Sequence, residues 1–172
     1  MVLVVGGGNA AAFTDSDDDP TTGYGGGGGS GGVSFYTGSF TSAQSFGYSI
    51  GTGGSAQSSA NCDDSIASGA AGTASNLSIS GSNVAIAGGG GGGQGVGQSG
   101  NGAGGAAGTG HLSGMAGGSG KYGNVRAVTP FWGKYGLGGR GADGSGLTDN
   151  DSKCTGGAES GENGALIILE LG

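Results

Sequence analysis

The sequence predicts an all-β or irregular fold: a bundle of polyglycine-II helices capped by short β-strands, with no α-helix. Three observations lead there. Glycine fills 50 of 172 positions and, with 22 Ser and 20 Ala, makes up more than half the chain. Large side chains therefore cannot interlock into a sizeable core. Several short segments are nonetheless strongly apolar and read as strands, and glycine recurs with a period of three in the glycine-rich part.

The strands come in order. Val2-Leu3-Val4-Val5 is apolar at every position, so as a strand it would be buried on both faces. Residues 33–40, Val-Ser-Phe-Tyr-Thr-Gly-Ser-Phe, are rich in aromatic and β-branched residues and read as a second. Phe46-Gly47-Tyr48-Ser49-Ile50 alternates large and small, which predicts a strand with one buried face. Leu77-Ser78-Ile79 and Val84-Ala85-Ile86 alternate again around Gly81-Ser82-Asn83, a hairpin-like turn. Ala165-Leu166-Ile167-Ile168-Leu169-Glu170-Leu171 closes the series, again apolar on both faces. Because the two doubly apolar strands lie at opposite ends of the sequence and both need cover, they are expected to pair at one base. No window has a 3.6-residue period, and glycine at this density melts helices.

The glycines need a different physical role. Residues 88–93 are six consecutive glycines, which bury no side chain and lose the most backbone freedom on ordering. Either the run is a tether or its backbone packs against other backbones. Spacing favours packing: Gly102, Gly105 and Gly108 are three apart, as are Gly114, Gly117, Gly120 and Gly123, then Gly133, Gly136 and Gly139, then Gly138, Gly141 and Gly144. A three-residue-per-turn helix with glycine at each third position has one bare edge. Its amides and carbonyls, unpaired within the helix, can pair with neighbouring helices instead. The expectation is a single domain over 1–172, its main polyglycine-II region at 88–146 and its most enclosed helix at 88–93.

Composition excludes several classes. Only 2 Pro and the glycine runs break any Gly-X-Y period, so collagen is out. The net charge of −7 argues against nucleic acid as partner, since phosphate recognition needs Lys and Arg. No apolar run approaches the ~18 residues of a membrane span. Cys62 and Cys154 are too far apart for metal spacing; they form either a disulfide or two free thiols.

The segment 121–135, Lys-Tyr-Gly-Asn-Val-Arg-Ala-Val-Thr-Pro-Phe-Trp-Gly-Lys-Tyr, is the candidate binding loop. No Lys or Arg precedes it, and it holds the only Trp of the chain. Tyr122, Arg126, Phe131, Trp132, Lys134 and Tyr135 combine rings for stacking on sugar faces with cations for phosphates or carboxylates. The competing reading is a small capping core around Phe131 and Trp132. Asp15, Asp17 and Asp19 have the start of an EF-hand spacing, but Pro20 occupies the required glycine position and Gly26 that of the bidentate Glu. A solvated acidic loop at 9–22 is the expectation there. Gly23-Tyr24-Gly25-Gly26-Gly27-Gly28 fits a dinucleotide fingerprint only as glycine background, with no helix following. His111, the single histidine, has no nucleophile or carboxylate at a readable spacing. No catalytic residue, cofactor or metal is expected.

A family resemblance rests on order rather than on any one motif. Val-Leu-Val-Val-Gly-Gly-Gly at 2–8, the strand pair ending Ile50-Gly51-Thr52-Gly53-Gly54, and the finish Glu162-Asn163-Gly164-Ala165-Leu166-Ile167-Ile168-Leu169-Glu170 resemble the glycine-rich domains at the tips of bacteriophage tail fibres. That resemblance implies a strand-capped polyglycine-II bundle whose far loops bind a bacterial surface glycan or outer-membrane component. It implies a non-enzymatic adhesin at a virion tail-fibre tip or otherwise outside the cell, attached to a fibre shaft or self-associated. The alternative is a structural subunit of an extracellular filament or sheath. Ice binding is a third reading, weakened by the slipping glycine register.

Overall fold

Six short strands and no helix make up the regular structure of the described residues. The computed structural model describes residues 1–8, 25–56, 68–95, 101–119, 126–128, 134–139 and 158–169. The strands are β1 (Val2–Val5), β2 (Val33–Tyr36), β3 (Phe46–Ser49), β4 (Ser75–Ile79), β5 (Ser82–Ala87) and β6 (Ala165–Ile168). They form two antiparallel sheets, ordered β2-β1-β6 and β3-β4-β5. As expected, the first and last strands pair, with Val2 opposite Ile168 and Val5 opposite Ala165.

Continuous apolarity in β1 has the predicted consequence: all four residues are buried. Val2 and Val4 face the second sheet and pack with Leu77, Ala85 and Ala87, while Leu3 and Val5 pack on the other side with Val33 and Ala165. Leu77 is the largest fully buried side chain among the described residues, so the apolar core is a thin layer between two small sheets.

Several strand details differ from expectation, each for a packing reason. β2 ends at Tyr36 rather than continuing to Phe40. β3 has no buried face; all four of its residues are exposed, because neither it nor β6 packs substantially on the opposite sheet. β6 is covered on both faces only at its start, with Ile168 58% exposed. In β5 the alanines point inward and Ile86 outward, after a register shift near Leu77 and Ser78. The sheets come so close there that the Ser34 hydroxyl donates to the Ile86 carbonyl, leaving room for methyl groups only. The hairpin turns at Ser80 and Gly81, with φ of 48° and 82°, rather than at 81–83. Positive φ at both central residues is what a two-residue turn needs to match strand twist.

The strands feed glycine segments at a common end. Val5 runs into Gly6, Gly32 into Val33, Ala87 into Gly88 and Gly164 into Ala165, and β3 and β4 continue into Gly51 and from Gly72 in the same way. Beyond the strands, segments bond side to side. Along 26–33 successive amides donate to three neighbours in rotation. Gly26, Gly29 and Gly32 donate to Gln94, Gly91 and Gly88; Gly27, Ser30 and Val33 to Gly118, Met115 and Leu112; Gly28 and Gly31 to Gly139 and Gly136. These bonds are 2.8–3.0 Å long, within the ordinary N–H···O range. Gly105 and Gly108 donate back to Gly27 and Ser30 from another segment, and Gly6 donates to Gly32.

The most enclosed run is therefore 25–32, buried at every position, and not 88–93, where only Gly90 and Gly93 are buried. The reason is placement: 25–32 lies amid five bonded neighbours, whereas one side of 88–93 is partly open. The period of three is visible as burial. Gly102, Gly105 and Gly108 are buried while Ala103, Ala106 and Thr109 are exposed.

Candidate functional site

The end of the glycine block away from the sheets gathers most of the connections between described segments. Its lateral bonds tie Gly26 to Gln94, Gln94 to Ala103, Gly69 to Gly93, Gly27 to Gly118 and Gly28 to Gly139. The stretches 9–24, 57–67, 96–100, 120–125 and 140–157 join segments whose ends are these residues or their near neighbours. Five connections thus have at least one end on this side of the block, 9–24 leaving from Gly8, three residues beyond β1, and returning at Gly25. Among them they carry Lys121, Tyr122, Arg140 and Lys153, together with most of the acidic residues.

Arg126 stands beside this end. Its Nε and Nη2 both donate to Glu159 Oε2, at 2.9 and 2.7 Å, and Nη1 lies 3.9 Å from Glu162 Oε1. Its side chain is 30% exposed, so this guanidinium is already engaged, fastening 126–128 to the segment that enters β6. Ala127 accepts from Gly138, and Val128 accepts from the buried Ser30 hydroxyl. Ser30 also accepts from the Met115 amide at 2.8 Å, so one small side chain pins three segments.

Lys134 and Tyr135 are exposed, but they stand nearer the sheets, just before Gly136, which bonds to Gly31 and Asn163. The structure thus places Arg126 and the Lys134–Tyr135 pair at two heights on one flank rather than in one cluster. Tyr122, Phe131, Trp132, Cys62, Cys154 and the acidic loop at 9–22 lie outside the described residues. The connection 140–157 was not singled out in sequence; its signal was the basic pair Arg140 and Lys153 between glycine-rich flanks.

His111 is a loop residue, as expected, and it has a structural task. Its ring stacks on Phe35 at 4.5 Å, and Nδ1 accepts from the Phe35 amide at 3.3 Å, which places the proton of the neutral ring on Nε2. Val33 and Leu112 exchange both backbone bonds beside it, so 110–112 covers the outer edge of β2. An open cleft of about 390 Å³ lies here, lined by Ser34, Asn83, Val84, Ala85, Ile86, Gly110 and His111, without a charged group. No group of three His, Cys, Asp or Glu side chains able to hold a metal ion occurs among the described residues.

Comparison with protein-family models, curated proteins and solved structures finds no match. No described helix is long and apolar enough to cross a membrane.

Proposed function

We propose that this protein is a non-enzymatic receptor-binding domain of the tail-fibre-tip kind, recognising a bacterial surface glycan or outer-membrane component. In this reading the glycine block is a bundle of polyglycine-II helices. The rotation of amide donors around 26–33, the scarcity of positive φ among the described glycines and the three-residue burial period all support that geometry.

One observation carries the functional reading: five connections have ends at the sheet-distal end of a block held mainly by backbone-to-backbone bonds. Binding residues concentrate on connections held by a rigid scaffold, and here the described lateral bonds are made mainly by backbone groups. Tyr122 lies on one of these five connections, while Phe131 and Trp132 belong to the stretch 129–133, which joins Val128 to the Lys134–Tyr135 pair on the flank. Together these rings and cations would supply stacking and charge for a sugar or phosphate-bearing surface. Arg126 acts mainly through Glu159, positioning the segment that leads to this chemistry. The protein would act outside the cell, on a virion fibre tip or comparable appendage.

The test is binding of the purified protein to whole bacterial cells and to a glycan array. Tyr122→Ala and Trp132→Ala are expected to weaken binding at least tenfold while leaving the melting temperature unchanged. Unchanged binding in both variants, or unfolding by Trp132→Ala, would overturn the reading.

A further inference from the structure

The two sheets are closed along one side and open along the other. On the closed side, β2 packs on β5, the Ser34 hydroxyl reaches the Ile86 carbonyl, and 110–112 covers the β2 edge. On the open side, the glycine extensions of β3 and β6 are bonded to each other, Gly164 to Gly51 at 2.8 Å and Gly161 to Gly54 at 3.0 Å. The strands themselves diverge from that junction, and neither touches the opposite sheet substantially. The result is a wedge with its apex at Gly51 and Gly164. Phe46 and Tyr48 line one wall, on the face they share with Leu77 and Ile79, and Leu166 and Ile168 line the other. Phe40 closes its foot, edge-on to Phe46 at 4.9 Å.

We infer that this wedge is a self-association surface, in which β3 pairs antiparallel with β3 of a second copy about a two-fold axis at Gly47. Three observations select that occupant. The first is hydrogen-bond polarity. Ser80 donates to Ser45, and alternation along an antiparallel ladder then makes Gly47–Ser78 and Ser49–Asn76 the bonded pairs. The amides and carbonyls of Phe46 and Tyr48 consequently face outward. An axis at Gly47 sets Phe46 of one copy opposite Tyr48 of the other, so all four outward groups on each strand find partners.

The second is charge. The chain carries a net −7, yet no Asp, Glu, Lys or Arg occurs between residues 20 and 62 or between 65 and 120. Two copies meet here with no charged side chain on β3, β4 or β5, so the net charge brings no like charges together on the paired strands. The β3 edge also lacks the lysine, proline or bulge that ordinarily blocks pairing.

The third is area. Phe40, Phe46 and Tyr48 are 38, 47 and 66% exposed. At roughly 200 Å² per ring that leaves about 300 Å² of open aromatic surface, within the size range of functional apolar patches. The β6 wall adds Ile168, 58% exposed, toward the ~800 Å² per partner of a standard interface. Because the contact is isologous it closes on itself and yields a dimer, not a filament. This inference is independent of what the opposite end binds.

Sedimentation velocity on the full chain over a hundredfold concentration range tests it. The expected result is a monomer–dimer equilibrium, abolished by Tyr48→Lys and by Tyr48→Pro, and unchanged by Ile86→Lys on the outer face of the same sheet. Circular dichroism melts confirm that each variant is folded; Tyr48→Lys alters an exposed side chain and keeps every backbone bond. A wild-type monomer at all concentrations, an open-ended polymer, or a dimer that survives both Tyr48 variants would overturn the proposal.

Discussion

At Gly29 a methyl group would overlap the Ala106 carbonyl oxygen, well inside the 3.0 Å that real Cβ atoms respect. The same holds at Gly26, Gly90 and Gly93, each against a backbone carbonyl that cannot rotate away as a side chain could. Gly81 is glycine for a different reason: nothing lies within 4 Å of its Cβ position, but its φ is 82°. Asparagine tolerates that region, so Gly81→Asn is expected to cost no more than about 1 kcal/mol. Gly29→Asn must push whole segments apart and should cost more than the ~1–3 kcal/mol of ordinary overpacking. Gly91→Ala, with its nearest atom the Ala106 amide nitrogen at 2.8 Å, falls between them. Urea unfolding of the three variants checks the order. Sequence alone reveals that glycine is needed at such sites but not which reason applies, since both look like Gly. The partners sit 77 positions away in the case of Ala106, where no local pattern reaches. That distance is also why 88–93, the most conspicuous run in the sequence, is not the most enclosed.

Among the elements, the sheets are joined by hydroxyl groups as much as by apolar packing. The Ser75 hydroxyl donates to the Val5 carbonyl at 2.6 Å and accepts from the Gly51 amide at 2.8 Å, linking β4 to β1 and to the extension of β3. Ser75 is fully buried, so Ser75→Ala removes two buried hydrogen bonds and is expected to cost about 1–3 kcal/mol. Ser78→Ala, removing a 3.2 Å bond from an exposed strand face, should stay within about 0.5 kcal/mol. Chemical denaturation of both variants tests the contrast. Strands of this kind were legible where pattern and burial agree: β1 reads as doubly buried and is, and its pairing with β6 follows from the shared need for cover. The alternation of β3 is just as clear in sequence, yet the face it marks is open to solvent. Alternation reports which residues share a face, not whether anything stands opposite. For the candidate site, the segment at 121–135 was legible as unusual chemistry, while its division between two heights depends on where Gly136 and Ala127 bond.

At the scale of the molecule, the interior formed by the described residues is mostly peptide group rather than hydrocarbon. Unfolding a protein of ordinary composition raises the heat capacity by ~12–15 cal/mol/K per residue, because apolar exposure outweighs polar exposure. Here unfolding exposes many amides and carbonyls and few large side chains, the core between the sheets being little more than Val2, Val4, Leu77, Ala85 and Ala87. The heat-capacity change measured by differential scanning calorimetry is therefore expected to fall well below that range. The stability curve should be correspondingly flat, with little loss on cooling.

The bonds that hold the connection ends, such as Gly26 to Gln94 and Gly28 to Gly139, are made by groups that every residue except proline possesses. Those bonds therefore require no particular polar side chain to form them. In most proteins a new binding specificity is tried at some risk to stability, and selection must satisfy both at once. On the proposed function the two are written in separate places: mutations in the segments are filtered by space, and mutations in the connections by recognition. A receptor-binding lineage built this way would change its target quickly while its framework stays the same.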